Sequence, residues 1–137
     1  DKVDLLLEKK ITAIAYEQIQ LADGSLPVLR PFSEIGGSMT PTIAARFLQC
    51  NRGGKGILLG GVPGVPPAEV VILGSGVVAT YATKAFLGLG AHVTVIGIDL
   101  AGLQKMHEHC PVIATMIAST PNIETATVYV DVAVGVG

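Results

Sequence analysis

Glu69-Val70-Val71-Ile72-Leu73-Gly74-Ser75-Gly76-Val77-Val78-Ala79 joins a β-branched apolar run directly to a glycine turn. A run of that kind suits a central parallel strand, which is covered on both faces and shows no polar alternation. The residues from Thr80 to Leu89 are rich in alanine and leucine and suit a helix. The G-x-G-x-x-A pattern therefore sits where a strand turns into a helix, the setting that gives such a glycine pattern meaning. Gly74 makes the tight turn, Gly76 keeps a Cβ away from an approaching ligand, and Ala79 lets the helix pack close to the strand. The amides of Ser75, Gly76, Val77 and Val78 then face outward at a helix mouth, where they lack internal partners and carry the positive end of the peptide dipoles. An anionic diphosphate is held there without a lysine. The alternative is a strand-to-helix turn that binds nothing.

Outward from this turn, strand and helix alternate. Ala91 to Ile98 reads as a second strand, Leu100 to His109 as a second helix and Val112 to Ala118 as a third strand. Pro121 to Thr127 suits a short helix and Val128 to Val136 a fourth strand. This βαβ spacing predicts an α/β fold of the Rossmann type, doubly wound, with a mainly parallel sheet and helices on both faces. Before the turn, residues 2 to 9 suit a short helix and Ile11 to Tyr16 a strand. Asp23-Gly24 supplies turn chemistry, and Pro31 holds off the next helix. An amphipathic helix is expected only from about Thr40, a candidate cap, with Pro41 in its first turn. The passage from Gly53 to Pro67 is too rich in glycine and proline for long regular elements. We divide the chain into residues 1–38, a connector and the end of a neighbouring domain, and 39–137, a helix followed by the nucleotide-binding domain.

Half of the 137 residues are hydrophobic, enough for one sizeable core. The apolar stretches break at glycine or proline before about eighteen residues, so none reads as a membrane span. A formal charge of -2 provides no basic field for nucleic acid. Cys50 and Cys110 lie far apart, without paired spacing or a signal peptide, and read as free thiols in a reducing cytoplasm. The chain opens on Asp1 and closes near a strand end, and is expected to be part of something longer.

An acid normally ends the second strand, about twenty residues beyond the glycines, and receives the ribose hydroxyls of NAD. Here that place is Gly97, and Asp99 is the nearby carboxylate able to substitute. Asp99 equally suits the N-cap of the helix at Leu100. No arginine adjoins to take a 2′-phosphate, which favours NAD over NADP.

Several motifs, in order along the whole chain, resemble the alanine dehydrogenases and the related domain of nicotinamide nucleotide transhydrogenases. They are Thr12-Ala13-Ile14-Ala15-Tyr16-Glu17, Leu26-Pro27, Pro31-Phe32-Ser33-Glu34-Ile35-Gly36-Gly37, the run Gly53-Gly54-Lys55-Gly56-Ile57-Leu58-Leu59-Gly60-Gly61-Val62-Pro63-Gly64-Val65, and the glycine turn. The run from Gly53 to Val65 is closer to alanine dehydrogenase. The resemblance implies reversible oxidative deamination of L-alanine to pyruvate and ammonia, with hydride passing to NAD, in a cytoplasmic homohexamer. It also implies cofactor contacts from Ser33, from Ser119 after the third strand, and from the Gly135 to Gly137 loop, with Gly135 and Val136. Ser38 stands where the family usually has an arginine. The family's catalytic lysine and histidine belong before Asp1 and its catalytic aspartate beyond Gly137, so the chain alone should bind cofactor without turning over alanine.

Other features carry less. His107-Glu108-His109-Cys110 contains potential zinc ligands, but histidines two apart on a helix point to nearly opposite sides. Lys84 reads as solvent-facing, Glu17 as a surface ion-pair residue or buried acid, and Ser33-Glu34 lacks a nearby histidine for nucleophilic catalysis. Two rival functions use the same turn: a transhydrogenase-like or regulatory NAD(H) module, and a methyltransferase using S-adenosylmethionine.

Overall fold

The computed structural model describes residues 1–136 and falls into two compact units, the first from Asp1 to Phe32 and the second from Ser33 onward.

In the first unit, helix α1 (Lys2–Glu8) starts at Asp1, whose side chain accepts from the amides of Val3 and Asp4 while Asp4 reaches back, a reciprocal capping box. The strand expected over Ile11 to Tyr16 does not form. These residues run irregularly into a 3₁₀ turn at Tyr16–Gln18, because no described strand lies beside them to complete a ladder. The Asp23-Gly24 turn forms as expected: Asp23 Oδ1 accepts from the Ser25 amide and hydroxyl, and Gly24 takes φ +83°. The rings of Tyr16 and Phe32 meet at a centroid distance of 5.8 Å.

Helix α2 spans Leu29–Leu48, starting well before Thr40. Pro31 does not delay it, because it falls in the first turn, where amides have no intrahelical acceptor to reach. Pro41 lies inside the helix and has no N–H for the carbonyl of Gly37. Ser38 and Thr40 hydroxyls donate to the carbonyls of Glu34 and Gly36 in this stretch. Gly37 is where α2 crosses the next helix: a Cβ there would lie 2.8 Å from Tyr81 Cβ and closer still to the Val78 carbonyl.

Strands β1 (Glu69–Leu73), β2 (His92–Gly97), β3 (Ala114–Ile117) and β4 (Val132–Gly135) form one wholly parallel sheet in the order β3-β2-β1-β4. They alternate with α3 (Val77–Gly88), α4 (Leu100–His109) and α5 (Thr120–Val128). Register sets the two faces. Val70 and Ile72 align with Val93 and Val95 and with Val132 and Val134. This face packs against Ala79, Ala82 and Phe86 of α3, Leu103 and Met106 of α4, and Ala44 and Leu48 of α2. Val71 and Ile96 point to the opposite face and are also buried, so β1 is covered on both sides. Ile123 of α5 approaches that second face, sharing a groove with Leu73 and Ile96. The expected Rossmann-type α/β architecture is the one observed.

Candidate nucleotide site

The chain steps outward from β1 to β2 to β3 and then returns to place β4 on the other side of β1. The order reverses between β1 and β4, and in open parallel sheets ligands bind in the crevice beyond the strand ends at that reversal. Gly74, Ser75 and Gly76 lie there, after β1, facing Val136 after β4.

The two motif glycines serve different ends. Gly74 has φ +125°, and a Cβ on it would lie 2.7 Å from the Val136 carbonyl oxygen. The Gly74 amide donates to the Ile96 carbonyl at 2.7 Å and the Val136 amide to the Leu73 carbonyl at 3.0 Å, which ties the turn to both neighbouring strands. Gly76 has an ordinary φ of −83°, and a Cβ on it would meet nothing within 4 Å. The protein's own packing does not require glycine at 76, so its bareness leaves the approach to the helix open. Gly76 N-caps α3, and no side chain caps the helix. Among the described residues, the amides of Ser75, Gly76, Val77 and Val78 enter no turn or cap hydrogen bond. Ala79 is wholly buried against the sheet. A cradle of bare amides with no Cβ in front of it fits a diphosphate.

Beside the turn lies a groove of about 240 Å³, lined by Leu73, Gly74, Ser75, Ile96, Gly97, Ile98, Ala118 and Ile123. Asp99 and Ser119 do not line it. Asp99 N-caps α4, with Oδ1 accepting from the Ala101 amide at 3.1 Å and Oδ2 from the Gly102 amide at 2.8 Å. Ser119 N-caps α5, its hydroxyl accepting from Asn122 at 3.3 Å. Ser33 sits near the start of α2, outside the groove lining, and Gly137 lies outside the described residues. A larger hollow of about 520 Å³ runs along β4 beside α2, from Lys55 and Asp131 to Gly135, and shares only its Gly135 end with the strand reversal.

Lys55 and Asp131, missed in the sequence as a pair, meet at the start of β4. Lys55 Nζ lies 3.1 Å from Asp131 Oδ1 and donates to the Val130 carbonyl, while Asp131 Oδ2 accepts from the Glu69 amide at 2.9 Å. The Glu69 amide, aided by Lys55, holds the Asp131 carboxyl below its ordinary pKa against the opposing effect of burial. The glycines around Lys55 are packing glycines too: a Cβ on Gly54 would run into the Phe47 and Leu48 carbonyls, and one on Gly60 into that of Leu89. The bond from Lys55 to Asp131 spans most of the domain in sequence, so no local pattern announces it.

Elsewhere, His109 Nδ1 is 2.6 Å from the Lys105 carbonyl, and the Lys84 ammonium lies 5.5 Å from the centre of the Tyr81 ring. Cys50 is exposed and Cys110 buried, and both are free thiols. Among the described residues no helix is long and apolar enough to cross a membrane.

Residues 40–136 match the family model "Alanine dehydrogenase/PNT, C-terminal domain". The chain is 48% identical over 131 residues to an alanine dehydrogenase of Methanococcus maripaludis, covering 95% of this chain and 35% of that protein. It is 44% identical, with the same coverage of 95% and 35%, to an alanine dehydrogenase of Staphylococcus epidermidis. A solved structure of an L-alanine dehydrogenase superposes with a TM-score of 0.83 at 44% identity, over 89% of this chain and 34% of that one. The chain thus spans about a third of the length of these relatives. A parallel sheet reversing at a glycine turn, joined to a family match over most of the chain, places it in the alanine dehydrogenase/PNT C-terminal domain family.

Proposed function

We infer that this chain is the dinucleotide-binding part of an alanine dehydrogenase and that it binds NAD. The observation that carries the reading is the uncapped mouth of α3, fronted by Gly76 and lying at the strand reversal. Gly74, Ser75, Gly76, Val77 and Val78 hold the pyrophosphate through main-chain amides, and Gly135 and Val136 border it from β4. Ser33 and Ser119 contribute from the α2 and α5 sides, and residues 1–38 form the end of the substrate domain with its connector. Asp99 is engaged by its own helix, each carboxylate oxygen accepting from an α4 amide. Bound at this site, NAD would supply the hydride acceptor for oxidation at the substrate Cα. The residues of this chain would hold the cofactor by its pyrophosphate rather than move protons.

In the whole protein the substrate is L-alanine, converted reversibly to pyruvate and ammonia, in a cytoplasmic homohexamer. Relatives at 48% and 44% identity bear the alanine dehydrogenase name, which favours this reading over a transhydrogenase-like module. Family membership likewise disfavours a methyltransferase.

Fluorescence titration of the 137-residue chain with NADH, beside S-adenosylmethionine, tests the binding reading. Saturable NADH binding without alanine-dependent NADH formation is expected. Preference for S-adenosylmethionine, or turnover by this chain alone, would contradict it.

A further inference from the structure

The acid that usually ends the second strand selects NAD in two ways: it accepts hydrogen bonds from the ribose hydroxyls, and it repels a 2′-phosphate. In this chain Gly97 ends β2, yet the place of the missing side chain is filled. A Cβ on Gly97 would lie 3.2 Å from both Cβ and Oγ of Ser75 and 3.1 Å from Leu103 Cδ2. A Cβ on Gly102, in the first turn of α4, would lie 2.7 Å from the same Ser75 hydroxyl. Ser75 thus sets its side chain into a notch left by two glycines, where an acid at 97 would begin. It is the single polar side chain among the described residues lining the groove. The Asp99 carboxylate is turned to its own helix, each oxygen accepting from an α4 amide.

We propose that Ser75 stands in for the ribose acid, and that the site therefore takes the 2′-phosphorylated and the unphosphorylated dinucleotide with similar affinity. The proposal rests on the nicotinamide-dinucleotide reading of the turn. A hydroxyl both donates and accepts, so it serves a ribose hydroxyl in one ligand and a phosphate oxygen in the other. Among the described residues no lysine or arginine lines the groove, so the phosphate gains no ion pair there and parity, not reversal, is the outcome.

The test is fluorescence titration of the full-length protein carrying this chain with NADH and with NADPH. Their dissociation constants should agree to within about tenfold, less than one well-made charged hydrogen bond provides. The double variant Ser75→Gly with Gly97→Asp gives the acid room and should favour NADH by more than about tenfold. Gly97→Asp alone crowds Ser75 and Leu103, which must yield to make room, and should weaken both ligands. A preference of the native protein for either nucleotide beyond about tenfold would overturn the proposal. So would a double variant that gains no preference, or an Asp99→Asn variant that shifts the ratio by that much. Binding of neither nucleotide by folded protein would sink the parent reading as well, whereas NADH binding with NADPH exclusion would sink this proposal alone.

Discussion

Gly74 and Val136 approach so closely that the backbone of one occupies the space a side chain on the other would need: a Cβ on Gly74 would lie 2.7 Å from the Val136 carbonyl oxygen and 2.8 Å from its Cγ2. The turn after β1 thereby packs directly on the end of β4, where the Val136 amide also donates to the Leu73 carbonyl. Gly76, two residues on, touches nothing.

This contrast separates folding from binding. Gly74→Ala meets both a left-handed φ and a backbone collision, and should destabilise the domain by at least about 1–3 kcal/mol. Gly76→Ala should leave the urea midpoint nearly unchanged yet weaken NADH binding by about tenfold or more, since a methyl then stands before the amide cradle. Equal losses of stability in the two variants would show that Gly76 is a packing glycine and that the open mouth is incidental.

The family-specific glycine run makes a second prediction. Gly54→Ala drives a methyl into the Phe47 and Leu48 carbonyls and should abolish soluble folded protein or lower its melting temperature sharply. Gly64 has φ +88° with open space around it, so Gly64→Ala should cost only about 1–2 kcal/mol. Thermal melts of both proteins check the order, and a milder Gly54 variant would mean that α2 can yield at its C-terminal end.

What the sequence disclosed and what it withheld follow from the range of the interactions. The β1 strand and its glycine turn were readable because an unbroken apolar run and glycine chemistry are local signals. By sequence α2 comes out too short because Pro31 looks like a bar to an early start and Pro41 like a first-turn proline, whereas Pro31 falls where no amide is needed and Pro41 lies inside the helix. Ile11 to Tyr16 has strand composition but, among the described residues, no partner strand, and partners are not written locally. Asp99 suits either the ribose or the helix cap by sequence, and its amide bonds engage it as a cap. The packing of Ser75 against Gly97 and the bond from Lys55 to Asp131 needed the fold to bring distant residues together.

Thr83 supplies a third prediction. It is wholly buried in α3, and among the described residues its hydroxyl has no hydrogen-bond partner. Burying an unpaired hydroxyl is unfavourable, so Thr83→Val, of nearly the same shape, should raise stability by about 1–3 kcal/mol. Chemical denaturation would decide it, and a loss of stability would mean that the hydroxyl finds an acceptor in solution.

The last prediction concerns acid. Asp131 accepts from the Glu69 amide and faces Lys55, which together hold its pKa below the ordinary 3.8. A carboxyl whose folded pKa is depressed contributes its stability in full above the unfolded value and loses it as pH falls through the folded one. Asp131→Ala should therefore cost about 1–3 kcal/mol near neutrality, since it leaves a strand amide and a lysine unmatched. That gap should stay flat down to about pH 5 and close below about pH 4, where the native carboxyl also loses its charge. Other carboxyls titrate in both proteins and cancel in the difference. Lys55→Met, at a partly exposed ammonium, should cost less than about 1 kcal/mol, and 1 M salt should remove most of that effect while sparing the amide bond. Paired urea melts of native protein and Asp131→Ala from neutral to acid pH are the measurement. A gap that persists unchanged into strong acid would mean that the side chain's shape, rather than its charge, secures the start of β4.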